Sequence, residues 1–216
     1  MTGSGTAAER DSSMSAWETL QRLMPRTAES DTSVDWGRVE QSWGRAFPSD
    51  YRRFIDSYGA GGVEDCLGIV APENRQEPPA SPYGGMIHET ANAEGAWGRI
   101  PKAAEAAGLD PVLIAWGVSC AADILCWDAS AEDPATWPLL VYNRNDNLWR
   151  RYDCGVVEFL VRVIRAEFDD CPLGDESFWG AGSALFLNEA EERRRIEQGL
   201  DPWTGGPDPF AGMSFG

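Results

Sequence analysis

The stretch FPSDYRRFIDSYGAGG, residues 47–62, carries the signals for one complete helix. Pro48 and Ser49 suit its start, and Asp50 in the first turn favours the positive end of the helix dipole. The apolar residues recur at spacings of three and four, which places them on one helix face: Tyr51, Phe54, Ile55 and Tyr58. Gly59 supplies the residue that ends the helix. The glycines follow the helix, whereas a phosphate-binding loop needs them ahead of one, so phosphate binding is not expected.

The rest of the chain divides into three parts by composition and pattern. Residues 1–33 form a polar arm with one short helix, SAWETLQRLM, and residues 169–216 form an acidic extension with one short helix, NEAEERRRIEQG. Residues 34–168 between them have the pattern of an α+β domain. Strands joined by short connections favour an antiparallel sheet, and four candidate segments follow one another closely: PVLIAWG, ADILCWD, WPLLVYN and NLWRRYD. A predicted helix, GVVEFLVRVIRAEF, follows the last of them.

The chain is strongly acidic, with a formal net charge of −17 at pH 7. Such a surface repels nucleic acids and anionic membranes and attracts cationic partners. Solubility alone explains a negative surface equally well. No apolar run approaches the roughly 20 residues that span a bilayer, and the polar N-terminus lacks the apolar core of a secretory signal. We therefore expect a soluble, cytoplasmic protein that binds neither nucleic acid nor membrane.

Residues that carry chemistry in enzymes are sparse in this chain. The five cysteines are scattered without a CxxC pair, so neither a disulfide framework nor a metal site is expected. His88 is the single histidine, and no HExxH motif occurs. Asp123 and Asp128 stand at the two ends of one predicted strand, roughly 16 Å apart, which is too far for joint acid–base catalysis. The sequence therefore predicts a protein that is not an enzyme and needs no cofactor.

The central domain resembles the SUKH superfamily, in which a helix with an acidic residue precedes an LPxDY segment and a glycine-rich turn. Phe47 stands in place of the usual leucine, and the residues that match are Glu40, Pro48, Asp50, Tyr51 and Gly59. LIAWGVSCAADILCWD is similar to the family's strand pair, and WPLLVYNRNDNLWRRYDCGVVEFLVRVI to its final hairpin and helix. The resemblance thus covers residues 34–168. Where the family has Gly-Asp before the second strand, this chain has Ala122 and Asp123.

The resemblance implies an α+β fold, with helices packed on a twisted, mostly antiparallel sheet. Bacterial members of the superfamily are mainly immunity proteins of polymorphic toxin systems, which bind and block a cognate toxin, often a nuclease. Fungal relatives are interaction proteins that regulate cell-wall synthesis. A non-catalytic immunity protein with a cationic toxin partner is therefore the first hypothesis, and an intracellular scaffold or regulator is the alternative. In either case the five matching residues have mainly structural roles.

Acidic residues near predicted strand ends and turns, with one aromatic residue among them, are candidates for the partner contact: Glu64, Asp65, Asp123, Trp127 and Asp128. Trp127 shares a strand face with Asp123, which suits either an exposed anchor among acids or a place in the core. Other tryptophans in helix or strand patterns are expected in the core: Trp36, Trp43, Trp116 and Trp149.

Overall fold

The computed structural model describes residues 14–30, 32–77 and 84–209. Its helices are α1 (Ala16–Leu23), α2 (Trp36–Trp43), α3 (Ser49–Tyr58), α4 (Met86–Trp97), α5 (Val156–Ile164) and α6 (Glu189–Glu197). Its strands are β1 (Gly61–Val63), β2 (Leu67–Ile69), β3 (Leu113–Ser119), β4 (Ile124–Asp128), β5 (Leu139–Asn143), β6 (Leu148–Tyr152) and β7 (Phe186–Asn188).

The strands of these ranges form one open, twisted sheet in the order β6-β5-β4-β3-β2-β1-β7. Every neighbouring pair in this order is antiparallel. The predicted α+β class is therefore confirmed. None of the helices within the described ranges combines the length and the apolar character that crossing a bilayer requires.

The sheet has an apolar core on each face because successive side chains of a strand point to opposite sides. The larger core lies against α1, α2, α3 and α5, and it contains the sheet residues Ile114, Trp116, Leu125, Trp127, Leu139 and Val141. The smaller core lies against α4 and contains Leu113, Ala115, Ile124, Cys126, Leu140, Tyr142 and Trp149. A bulge in β3 places Trp116 and Gly117 together opposite Leu125. Because Gly117 has no side chain, Trp116 is the one bulge residue that contributes a side chain, and its indole lies in the larger core.

Residues 47–62 fold as their pattern predicts, with α3 burying its four apolar residues. Pro48 is the N-cap and contributes no side-chain hydrogen bond, while Ser49 is the first helical residue. Gly59 ends the helix with a φ of 86°. A Cβ at Gly59 would lie 2.9 Å from the Thr32 hydroxyl oxygen, so this position combines a left-handed conformation with a close neighbour.

Asp50, one of the residues that match the SUKH pattern, connects α3 to α5. Its carboxylate accepts hydrogen bonds from the backbone N–H of Tyr51 at 2.8 Å and from that of Val157 at 3.2 Å. The N-cap of α5 is Gly155, which has no side chain to satisfy the first N–H groups of that helix. Asp50 therefore caps a helix that follows it by more than a hundred residues, and its negative charge lies at the positive end of that helix.

Two other matching residues also serve the fold. The Glu40 carboxylate accepts from the backbone N–H of Phe47 at 3.2 Å and pairs with the Arg52 guanidinium at 3.0 Å, which joins α2 to the start of α3. The Tyr51 hydroxyl donates to the main-chain oxygen of Val70 at 2.5 Å, just beyond β2. Within this chain, Glu40 and Tyr51 thus have structural roles that involve no partner.

The described parts of both terminal segments belong to the same folded unit as the centre. Helix α1 packs against α5, and its Leu20 side chain is fully buried. The Tyr58 hydroxyl donates to the main-chain oxygen of Met24 at 2.7 Å. Strand β7 pairs with β1, with Gly62 opposite Leu187. The polar arm at 1–33 and the extension at 169–216 are thus packed against the central domain where the structure describes them.

Both edges of the sheet are covered within the described ranges. Residues 101–103 hydrogen-bond through their main chain to Trp149 of β6. At the other edge, the Thr27 hydroxyl donates to the main-chain oxygen of Phe186 in β7 at 3.0 Å. An open edge is a template for strand addition, and these contacts hinder such addition at Trp149 and at Phe186.

Candidate functional site

Asp123, one of the predicted partner contacts, is fully buried. Its carboxylate accepts from the Ser119 hydroxyl at 2.6 Å, from the backbone N–H of Arg144 at 2.7 Å and from that of Gly174 at 2.8 Å. These donors lie at the end of β3, in the β5–β6 turn and in the loop after α5, and the carboxylate joins these three segments at one end of the sheet. The partner-contact prediction for Asp123 is corrected: its oxygens point inward and stabilise the fold.

Trp127 is also buried, with only 1% of its surface exposed. Its ring centroid lies 4.8 Å from that of Tyr51, and Trp116 and Trp137 lie at 6.3 Å each. Of the two alternatives that the strand pattern allowed, the core place is the one observed, and the exposed anchor is wrong. Of the tryptophans expected in the core, three are buried: Trp43, Trp116 and Trp149. Trp36 is half-buried and packs against the larger core.

Two further candidates are engaged in local contacts. Glu64 adopts a left-handed φ of 52° in the β1–β2 turn, and its carboxylate accepts from the backbone N–H of Leu185 at 2.5 Å. Asp128 lies at the opposite end of β4 from Asp123 and accepts from the hydroxyl and the backbone N–H of Ser130. The five predicted contacts therefore do not form one surface.

Asp65 is the remaining candidate, and it lies exposed at the tip of the β1–β2 turn. It lines an open groove of about 340 Å³ together with Glu189 and Glu192 of α6 and the indole of Trp203. We call this feature the acidic groove. Its floor is the glycine-rich face of β1 and β2, and a Cβ at Gly62 would lie only 2.8 Å from the Trp203 ring. The indole thus lies directly against the floor.

The three carboxylates of the acidic groove have no cationic partner among the described residues. Neither Asp65, Glu189 nor Glu192 takes part in an ion pair there, or accepts a side-chain hydrogen bond. Partial burial raises the pKa of Glu192, and the negative charges of Asp65 and Glu189 raise it further. The groove is therefore a place where negative charge is concentrated and left unneutralised.

Sequence patterns could not assemble this groove. Helix α6 begins directly after β7, where Asn188 caps it by accepting from the backbone N–H of Glu191 at 2.9 Å. The register of β7 on β1 places Asn188 opposite Gly61, so α6 starts beside the beginning of β1. From there Glu189 and Glu192 line the same groove as Asp65 of the β1–β2 turn. The charged pattern of α6 predicted only a solvated surface, and the short β7 gave no strand signal that could place it.

A second concavity of about 410 Å³ lies between the start of α3, the 3₁₀ turn at Pro134–Thr136 and the start of α5. It contains the carboxylates of Asp50, Asp153 and Glu158. Asp50 is committed to capping α5. Burial raises the pKa of Cys154, also on this wall, to about 12, so its thiol is a poor nucleophile at neutral pH. This arrangement offers negative charge and no activated nucleophile.

No protein-family model matches this chain. Searches of curated proteins and of solved structures find no match either.

Proposed function

We propose that this chain is a non-catalytic binding protein, an immunity protein of the SUKH superfamily that neutralises a cognate bacterial toxin by covering its active site. The observation that carries the proposal is the acidic groove, where Asp65, Glu189 and Glu192 concentrate charge without a cation to balance it. A partner of positive charge supplies that cation.

Electrostatics favours a cationic polypeptide as the occupant. An arginine or lysine side chain entering the groove relieves the mutual repulsion of three carboxylates, and it leaves bulk water only in part because the groove is open. The exposed ring surface of Trp203 provides a cation–π contact at the same place. The net charge of −17 extends this attraction beyond the groove and accelerates association with a basic protein.

Toxins that act on nucleic acids fit this chemistry best. A nuclease must present a positive surface to the phosphates of its substrate, and a carboxylate surface can occupy that place instead. The floor of the groove favours close approach at Gly68, which carries no side chain to hold a partner away, whereas the Trp203 indole covers Gly62. Inhibition then follows from exclusion of the substrate and requires no chemical step by this chain.

The test starts with affinity capture from the source organism and identification of the bound protein by mass spectrometry. That protein is then produced in pure form and titrated calorimetrically with the full chain. The groove variant is Asp65→Asn/Glu189→Gln/Glu192→Gln. Its matched control, Asp110→Asn/Glu94→Gln/Glu132→Gln, removes the same charge from exposed acids elsewhere.

We expect the groove variant to bind at least about tenfold more weakly and the control to bind as the wild type does. Raising the salt concentration should weaken the wild type more than the groove variant. The captured protein should be toxic when expressed alone and harmless when expressed with this chain. Equal affinity of both variants would refute the groove as the docking site. A groove-dependent partner that is not toxic would reject immunity and favour a regulatory interaction protein.

A further inference from the structure

Two cysteines and one aspartate lie together at the end of β2 and β3, and both cysteines also line the acidic groove. The sulfur atoms of Cys66 and Cys120 lie 3.4 Å apart, and the Cys66 sulfur lies 3.4 Å from a carboxylate oxygen of Asp175. One ligand atom from each of the three residues lies within 4.8 Å of the other two. We propose that this cluster is a zinc site, with Cys66, Cys120 and Asp175 as its ligands.

Strand register places the two cysteines opposite each other. Leu67 pairs with Ser119 between β2 and β3, so Cys66 and Cys120 occupy the next opposed positions. The backbone N–H of Cys120 donates to the main-chain oxygen of Cys66 at 2.6 Å, which extends the ladder by one pair. Both sulfurs are therefore held by the ends of strands, and rigid elements fix ligand positions better than free loops do.

Asp175 comes from the loop after α5 and is oriented toward the sulfurs by its neighbours. The backbone N–H of Ser177 donates to its carboxylate at 2.8 Å. The same loop is fixed to the sheet end by the hydrogen bond from Gly174 to the buried Asp123 carboxylate. A ligand that is itself hydrogen-bonded has a defined orientation, as metal sites require.

The distances match the edges of a zinc tetrahedron. Zinc bonds of about 2.3 Å to sulfur and about 2.0 Å to oxygen give edges of roughly 3.8 Å between two sulfurs and roughly 3.5 Å between sulfur and oxygen. The observed separations of 3.4 Å and 3.4 Å need only small shifts to reach these values. Thiolate sulfur with a carboxylate is a donor set that suits Zn²⁺ better than Mg²⁺ or Ca²⁺, which prefer oxygen throughout.

Binding of Zn²⁺ to this cluster displaces the protons of the two thiols. In the absence of metal the Cys120 thiol donates to the Cys66 sulfur, and the Cys66 thiol donates to Asp175. Zn²⁺ takes the place of these two protons, which leave to solvent, and the two thiolates and the carboxylate then bind it. Cys120 is exposed, so the fourth position faces solvent and water completes the tetrahedron.

A disulfide is the alternative use of two opposed cysteines. Hydrogen-bonded opposite residues of an antiparallel pair have Cα atoms about 5.5 Å apart, which is within the range that a disulfide spans. The carboxylate favours the metal, because a disulfide makes no use of a third group and a divalent cation needs one. The Cys66 and Cys120 positions lie 54 residues apart in sequence, so their spacing gave no metal motif.

The test uses the full chain, reduced and freed of metal with a chelator, and titrated first with Co²⁺ and then with Zn²⁺. We expect one Co²⁺ per chain, with thiolate-to-cobalt absorption in the near ultraviolet and strong visible bands of tetrahedral coordination. One equivalent of Zn²⁺ should abolish these bands. Cys120→Ser and Asp175→Asn should each weaken Zn²⁺ binding at least about tenfold, since loss of an outer-shell partner alone costs that much.

Cys171→Ser is the matched control, because this thiol is in the same loop as Asp175 and is not one of the three clustered ligands. Its sulfur contacts the main-chain oxygen of Asp175 at 4.0 Å and not the carboxylate. It should bind Zn²⁺ as the wild type does. The proposal is overturned if the reduced wild type gives no saturable cobalt spectrum, or if Cys171→Ser abolishes binding as well. Failure of the wild type together with a mapped Cys66–Cys120 disulfide would assign the pair to redox chemistry instead. The wild-type spectrum decides the matter even if a ligand variant fails to fold.

Discussion

Replacing Asp123 by asparagine should destabilise the protein strongly although it changes only one atom of the side chain. The carboxylate accepts three hydrogen bonds in a fully buried position. An asparagine oxygen can keep those of Ser119 and Gly174, but its amide group then directs N–H groups at the N–H of Arg144. Loss of a hydrogen bond to a charged group costs about 1.5–3 kcal/mol, and an unsatisfied buried donor adds to it. We expect the free energy of unfolding to fall by about 3 kcal/mol.

Urea denaturation followed by tryptophan fluorescence measures this loss. With an m-value of about 2–3 kcal/mol/M, the midpoint of Asp123→Asn should fall by roughly 1–1.5 M at unchanged m. Asp128→Asn is the control at the other end of β4, where the acceptor serves only the local Ser130 donors. An asparagine oxygen can accept those bonds, so its effect should stay within about 0.5 kcal/mol. A stability of Asp123→Asn equal to that of the control would refute the role assigned to this carboxylate.

Five further substitutions are checked by the same urea titration. Leu20→Ala should cost about 3 kcal/mol because this side chain of α1 is fully buried, and a loss below about 1 kcal/mol would show that α1 is not part of the core. Gly61→Ala should cost more than about 2 kcal/mol, since its Cβ would lie 2.1 Å from the Leu187 main-chain oxygen, whereas Gly68→Ala, at 3.5 Å from its nearest neighbour, should be nearly neutral. Ala122→Gly should raise stability by about 0.5 kcal/mol because Ala122 has a φ of 62°, and unchanged stability would mean that this conformation costs nothing. Glu191→Gln should cost about 1 kcal/mol at pH 7, because two arginines lower the pKa of Glu191 and its contribution is therefore present above the ordinary glutamate pKa of about 4.3. This cost should shrink as the pH falls below that value and acid protonates the folded protein's carboxylate, and a cost that stays the same at every pH where the protein is folded would contradict this.

Local patterns predicted the elements whose signals lie within them. The spacing of apolar residues in 47–62 predicted α3. A continuous apolar run predicted β3, alternation predicted β4, and a connection rich in turn-forming residues predicted the β5–β6 hairpin. In the turn before β4, Ala122 adopts a left-handed φ of 62°, a conformation that costs less for glycine than for alanine. Sequence could locate that turn but not its conformation.

Contacts between distant segments could not be predicted in this way. The three-residue strands β1 and β7 carry too few residues for a periodic signal. The segment VEDCLGIV, residues 63–70, predicts one strand, whereas the structure has the β1–β2 turn there followed by β2. The pairing of these short strands decides that Asp65 meets the acids of α6 and that Cys66 meets Cys120. The alternation in β4 left Trp127 either exposed or buried, and the structure shows that helices cover both faces of this strand.

The pairing of β1 with β7 also sets an order of events during synthesis. Leu187 is translated about 125 residues after Gly62, its partner across the ladder. At about 5–20 residues per second this delay lasts roughly 6–25 s. Throughout it, the outer edge of β1 has no strand beside it, so a nascent chain on the ribosome displays an edge that the finished protein conceals. Among the described strands, β1 is therefore the one that waits longest for its second neighbour.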